Sequence, residues 1–214
     1  RESGLSTLLE WLQYSGYKSL YSKVNDVADY GVAQHRDRYT LIASRVCMEP
    51  ISPRPSEKRV TVREVIGDLP RIDAGHKDAS ELMHTAPKLT SLNLARVKRV
   101  RKNGGDRLDF AYDPKLQFPR FVGKDADYRC VCGRMWWDRP APTITTNFIC
   151  VGAGRFVHPE QDRGISIREA ACLQSFPRSF SFKERRVTQT SRIIAEAVPP
   201  KYAQAIGDGI VSMY

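Results

Sequence analysis

Leu5, Leu8, Leu9 and Leu12 recur at i, i+3, i+4 and i+7, the spacing that gathers side chains on one face of a 3.6-residue helix. Gly16 lies just beyond, where a residue that tolerates left-handed backbone closes a helix, so the pattern predicts a helix over residues 6–14. Residues 18–24 and 39–44 read as strands, the second a buried run, Tyr39-Thr-Leu-Ile-Ala-Ser44. Asn25 is placed to cap a short helical turn between them. Strand and helix alternate, the signature of an α/β layer.

From Met48 to about Asp162 the periodicity breaks. Pro50, Pro53 and Pro55, followed by basic, Gly- and Asn-bearing stretches, mark an insertion with its own irregular fold. Regular pattern returns at Gly164. Ser166 and Glu169 have the spacing of a capping box, in which hydroxyl and carboxylate each satisfy the other's free backbone N–H. Ile167, Ala170 and Leu173 follow at helical spacing and Pro177 stops the continuation, which predicts a short, sharply bounded helix. Near the C-terminus, Pro199-Pro200 suit a first helical turn, and Ala203, Ile206 and Ile210 supply an apolar face, with Gly207 and Gly209 leaving its end open.

Composition adds a partner class to this outline. The 214 residues hold one good-sized domain or one domain and part of another, and 41% hydrophobic residues suffice for a core. The net charge of +10, from 34 Lys+Arg against 24 Asp+Glu, favours a polyanion, because neutralised phosphates release condensed counterions. Five irregularly spaced cysteines fit a reducing compartment. Cys130-x-Cys132 lacks the second close pair of a zinc site, so no metal is expected. No run approaches the ~18 apolar residues of a membrane span and no signal peptide is present. The expectation is a soluble, cytoplasmic protein with no membrane partner.

Three stretches carry candidate chemistry. In Gln34-His-Arg-Asp-Arg38, alternation puts Gln34, Arg36 and Arg38 on one side if the segment is extended. One amide and two guanidiniums in a row suit phosphate oxygens, a base carbonyl or a buried carboxylate. Arg96, Lys98, Arg99, Arg101 and Lys102 place five cations and no acid within seven residues, closed by Gly104-Gly105; the run fits a phosphate-tracking face or a solvated helix surface. Gly133 to Thr146 combines Arg134, Trp136, Trp137, Arg139, Thr143, Thr145 and Thr146. Arginine reads guanine edges and threonine hydroxyls hold phosphates, while the two tryptophans serve equally as core anchors. A further basic patch spans residues 183–186.

In order, Gly31-Val-x-Gln-x-Arg-x-Arg38, Arg168-Glu-Ala-x-x-Leu-Gln-x-Phe-Pro177 and Ala197-Val-Pro-Pro-x-x-Ala-x-Ala-Ile-Gly207 resemble the eighth, ninth and tenth motifs of the cytosine-5 DNA methyltransferases. The resemblance spans nearly the whole chain, and the ordered set is far more specific than any one motif. It implies a partial Rossmann-like α/β half-domain from residues 1–47 and 163–214, with an irregular α+β target recognition domain, residues 48–162, inserted between them. Arg36 and Arg38, supported by Gln34, would then sit in the catalytic pocket, one holding the glutamate that engages the cytosine and the other near the cytosine carbonyl. Glu196, Ala197 and Val198 would close the S-adenosylmethionine pocket. The recognition side chains would include the cations of residues 96–102 and those of residues 134–146, on duplex DNA in a bacterial nucleoid.

The family's Gly-rich cofactor loop, Pro-Cys nucleophile and Glu-Asn-Val motif all precede its eighth motif, and none is found in this chain. The resemblance therefore implies an N-terminal half, in the same natural chain or on a second subunit, and no methyl transfer by these 214 residues alone. Ala33 stands where the family usually has proline, and Ala195-Glu196 where it has Gly-Asn. The second departure leaves a catalytically inactive DNA-binding or regulatory module of the same descent as the other reading, and an RNA-binding relative as a third.

Overall fold

The computed structural model describes residues 4–81, 83–124, 127–183 and 186–213. Helix α1 (Gly4–Tyr14) leads into strand β1 (Ser19–Asp26), a 3₁₀ turn (Val27–Tyr30) and strand β2 (Asp37–Ser44). Within the insertion lie α2 (Val62–Ile66), α3 (Ser91–Arg99) and three further 3₁₀ turns; α4 (Ile167–Leu173), α5 (Val187–Glu196) and α6 (Pro200–Val211) complete the order. None of the described helices is long and apolar enough to cross a membrane.

The mixed α/β character holds, with a smaller sheet than the alternating pattern suggests. Among the described residues β1 and β2 pair only with each other, antiparallel, from Ser19 opposite Ser44 to Asp26 opposite Asp37. Asp26, one residue past the predicted cap, starts the 3₁₀ turn by accepting from the Ala28 N–H at 3.1 Å, while Asn25 remains in the strand opposite Arg38. Between residues 48 and 162 the described structure is short helices, 3₁₀ turns and irregular chain, with β content limited to isolated bridges such as Arg134 with Val157.

Helix α4 forms as its capping box dictates. Ser166 Oγ accepts from the Glu169 N–H at 3.0 Å and the Glu169 carboxylate accepts from the Ser166 N–H at 2.7 Å. All seven residues of the helix are buried. Around it Ile66 of α2, Met135, Ile144, Phe148, Ile165 and Ile194 of α5 build the larger core. A second core joins Val97, Val100, Phe110, Phe121, Val131 and Val157 within the insertion. The larger core draws on residues 62–69 and 135–156 as well as on the flanking segments, so packing is continuous across positions 48 and 162.

Helix α5 is not announced by the hydrophobic pattern, because its buried positions include Thr190 and Ser191. Two residues of the basic patch before it, Glu184 and Arg185, lie outside the described residues. Helix α6 runs through both glycines that left its end open. Gly209 faces the Ser52 carbonyl so closely that a Cβ there would overlap it.

Candidate catalytic shell and nucleic-acid interface

Gln34 and Arg36 lie where three distant segments meet. Gln34 is fully buried, and its Oε1 accepts from the Ile144 N–H at 2.6 Å while its Nε2 donates to Gln174 Oε1 at 2.7 Å. Gln174, the residue that ends α4, passes the connection on by donating to the Ile194 carbonyl at 2.7 Å. Two backbone bonds bind the same seam, from Ala141 N–H to Ala33 O and from His35 N–H to Ala141 O, both 2.8 Å.

Arg36 is 6% exposed. Its Nη1 donates to the Ile144 carbonyl at 2.9 Å and its Nη2 to the Ala195 carbonyl, while Nε is buried with no acceptor among the described residues. Burial, with Arg38 nearby adding repulsion, pulls the guanidinium down to about 10, so Arg36 stays cationic at neutral pH. Asp26 braces the segment by accepting from the Arg36 N–H at 2.9 Å and bonding His35 Nδ1 at 2.7 Å. Burial alone would raise the Asp26 carboxyl, but the bonds to His35 and to the backbone N–H groups hold it low.

Burial follows the expected alternation, with Gln34 and Arg36 buried and Arg38 partly buried, against the less buried His35 and the exposed Asp37. Residues 34–36 precede β2, and Arg38 belongs to that strand, half exposed, with Nη1 on the Asp37 carbonyl at 2.8 Å. Gln34 and Arg36 are tied into the seam, and Arg38 lies close enough to repel the Arg36 guanidinium. At the other expected site, Glu196 pairs with Arg192 one helical turn earlier at 2.8 Å, Ala197 caps α5 and Val198 is 56% exposed. With the carboxylate already engaged and the neighbouring apolar surface open, these three residues do not by themselves form a site for S-adenosylmethionine.

Two of the expected DNA contacts are corrected outright. Arg134 is fully buried and donates to the carbonyls of Val97, Val100, His158 and Gln161 and to Asp162, so it ties the insertion together and reaches no solvent. Arg96 is 6% exposed, bonds the Leu116 and Gln117 carbonyls and lies 3.7 Å from the Phe118 ring centroid. Lys98 and Arg99 are exposed at the end of α3, where cations complement the helix dipole. Arg101 pairs with Asp109, and Lys102 with the Asp162 that Arg134 also engages, so two of the five cations carry a carboxylate partner. Arg139, Thr143, Thr145 and Thr146 are exposed; Thr143 Oγ1 donates to the His35 carbonyl at 2.8 Å.

A buried charge network joins this insertion to α4. Arg163 holds both Glu169 carboxylate oxygens at 2.7 Å, with both side chains essentially inaccessible. Burial would raise the Glu169 carboxyl; the guanidinium outweighs it and holds it at about 2. His158 Nδ1 accepts from the Glu160 and Gln161 N–H groups, which leaves the neutral ring's proton on Nε2. Burial pushes that imidazole down to about 3, the nearby Arg163 and Arg134 adding to the effect and Glu169 opposing it.

The sequence reading did not single out Gln174, Asp26, His158 or Arg163. For Gln174 a signal was present, since it is the glutamine of Leu173-Gln-Ser-Phe-Pro177. For Arg163 the only signal is an arginine six residues before a capping glutamate.

Comparison with known proteins bears on what this arrangement is. The family model described as C-5 cytosine-specific DNA methylase matches residues 1–212. The type II methylase M.HgiDII of Herpetosiphon aurantiacus is 38% identical over 210 residues, covering 96% of this chain and 58% of that protein. DNA (cytosine-5)-methyltransferase 3 of Arabidopsis thaliana is 35% identical over 173 residues, which is 70% of this chain and 12% of that one. The chain thus spans little more than half the length of the first relative and a small part of the second. Among solved structures, a DNA modification methyltransferase encoded within a prophage of E. coli superposes with a TM-score of 0.70 at 21% identity, over 99% of this chain and 65% of that one. That likeness speaks to the fold alone.

Proposed function

Because this chain belongs to the C-5 cytosine-specific DNA methylases, we propose that it is the C-terminal, DNA-recognising part of a DNA (cytosine-5)-methyltransferase. The whole protein would transfer a methyl group from S-adenosylmethionine to C5 of cytosine in duplex DNA. Residues 48–162 would act as its target recognition domain, with residues 1–47 and 163–214 completing the catalytic domain. An N-terminal half would bring the cysteine nucleophile and the Gly-rich cofactor loop. The cytosine has to leave the base stack to be reached at all.

The observation that carries this reading is the Gln34–Arg36 seam. A buried, charged guanidinium with one donor unmet costs free energy unless an acceptor is supplied, and a carboxylate from the missing half fits that donor. Gln34, locked on both its amide atoms, fixes the backbone from which Arg36 projects. Arg36 is thereby assigned to position the carboxylate that engages the ring, and the more exposed Arg38 to approach the cytosine carbonyl.

The test is methyl transfer from labelled S-adenosylmethionine to duplex DNA by the full natural protein, with 5-methylcytosine identified in the product. Arg36→Ala is expected to lower kcat at least ~100-fold, in the range lost when one preorganised donor is removed, while DNA binding persists. A full natural protein that binds duplex DNA and methylates nothing would replace this reading with the non-catalytic binding module.

A further inference from the structure

A cleft of about 500 Å³ is lined by His35, Thr143, Trp136, Arg139 and Arg155 among others. A second cleft, of about 400 Å³, is bordered by Arg120, Lys124 and Tyr128. Both are lined by Cys130 and Ala153, so they join into one groove that starts beside the Gln34–Arg36 seam. None of the described residues lining either cleft is acidic.

The chemistry of the groove differs from that of the cationic run in residues 96–102. There, Arg96 is buried and Arg101 and Lys102 are paired with carboxylates. In the groove, the Arg120, Lys124 and Arg139 side chains make no ion pair among the described residues and retain their full charge for a ligand. Aromatic faces lie between them. The Arg139 guanidinium is 5.1 Å from the Trp136 ring centroid, and Arg155 is 4.1 Å from it. Tyr128 is 56% exposed and stacks on Phe121 at 4.8 Å with an interplanar angle of 23°.

The wall behind Trp136 is closely packed. Arg155 is pinned by donating to the carbonyls of Gly104, Gly105 and Arg134. Gly104, at φ +106°, lies so close to the indole that any Cβ would overlap it. An exposed arginine beside an aromatic ring, followed by unpaired cations, matches a ligand that presents base edges and a row of phosphates.

We propose that this groove is the track along which the protein holds its DNA target, with Arg139 reading a base edge beside Trp136 and with Arg120 and Lys124 on phosphates. This rests on the methyltransferase reading of the chain and assigns its specificity to residues outside the cationic run. Arg139 is a specificity-determining residue; Arg120 and Lys124 supply affinity without sequence preference. The exposed Cys130 thiol at the junction of the two clefts is a built-in reporter of occupancy.

The experiment uses the full natural protein and a duplex carrying its preferred site, found by selecting bound sequences from a random duplex pool, so that the site is defined whether or not methyl transfer occurs. Arg139→Ala is expected to weaken binding to that duplex tenfold or more and to erase the preference over a scrambled duplex. The double variant Arg120→Ala/Lys124→Ala should weaken both duplexes alike and flatten the dependence of log Kd on log salt by about two. Saturating duplex DNA should slow alkylation of Cys130 by N-ethylmaleimide at least tenfold. Groove variants that bind as the parent does, with Cys130 still alkylated at its free rate, overturn the proposal even if methylation persists. So does a loss carried by Lys98→Ala/Arg99→Ala instead. Groove-dependent binding without methyl transfer would sink only the enzymatic reading, and failure to bind any duplex would sink both.

Discussion

Helices α1 and α4 both show an apolar face in the hydrophobic pattern, and the structure treats them oppositely. In α4 every residue from Ile167 to Leu173 is buried, its charges are paired and its N-terminus is closed by its own capping box. In α1 only Leu12 is buried; Leu5 is 38%, Leu8 43% and Trp11 57% exposed. Val24 of β1 and Tyr39 of β2 are also open to solvent, at 64% and 45%. Apolar surface gathered to this extent on one helix marks contact with something else. Helix α4 is closed by its own chain, whereas Leu5, Leu8 and Trp11 of α1 are left open to solvent.

Disabling the network that closes α4 should have the largest effect. Glu169→Ala leaves Arg163 buried without its carboxylate, and removing one partner of such a pair costs ~3–5 kcal/mol. Urea denaturation followed through Trp137, which packs edge-on against His158 at 5.1 Å, should register that loss. An unchanged midpoint would mean the pair does not hold α4 to the insertion.

Acid attacks the same network more gradually. The His158 imidazole is held down at about 3 in the folded protein against an ordinary value of ~6.5. Below ~6.5 the unfolded chain therefore takes up a proton that the folded chain refuses. Stability contributed by the neutral ring is complete above that pH and falls as pH drops, by ~2 kcal/mol at pH 5. Below ~4.5 the carboxylate of Glu169, held at about 2, adds its own loss in the same direction. His158→Gln should flatten the slope of stability against pH between 6.5 and 5; a parent-like slope in that variant would place the titration elsewhere.

The smallest effect is expected on the exposed face of α1. Leu8→Glu should shift the stability of these 214 residues by no more than ~0.5 kcal/mol, as for other exposed positions, and should cost more in the full natural protein, where the helix face is covered. Equal, small shifts in both would show that nothing packs there.

Local rules made α4 legible, since a capping box, an apolar repeat and a stop are all contained in a dozen residues. They made α1 legible as a helix but were silent on what covers it, because periodicity identifies a face and not its partner. Helix α5 escaped because its buried side carries Thr190 and Ser191 in place of large apolar groups. Gln34 and Arg36 stood out as candidates by residue type, but the groups they bond, on Ile144, Gln174 and Ala195, lie far along the chain and leave no trace in the local pattern. Arg134 was misread for a related reason. Four of its acceptors are main-chain carbonyls at positions 97, 100, 158 and 161, which leave no trace in side-chain identity. An arginine destined for the interior and one destined for DNA are indistinguishable until the fold brings those carbonyls round it.

The hydrogen bonds of the Gln34–Arg36 seam join residues separated along the chain by 108, 110, 140 and 159 positions. Each closes a large loop, whose entropic cost must be met before the bond returns anything. Contacts of such high order are the slow ones in folding, which makes the seam a test of the whole chain's arrangement and of no single element. A chain misfolded anywhere between residues 34 and 195 reaches it with the wrong geometry, and the candidate catalytic shell stays unmade in molecules that have not finished folding.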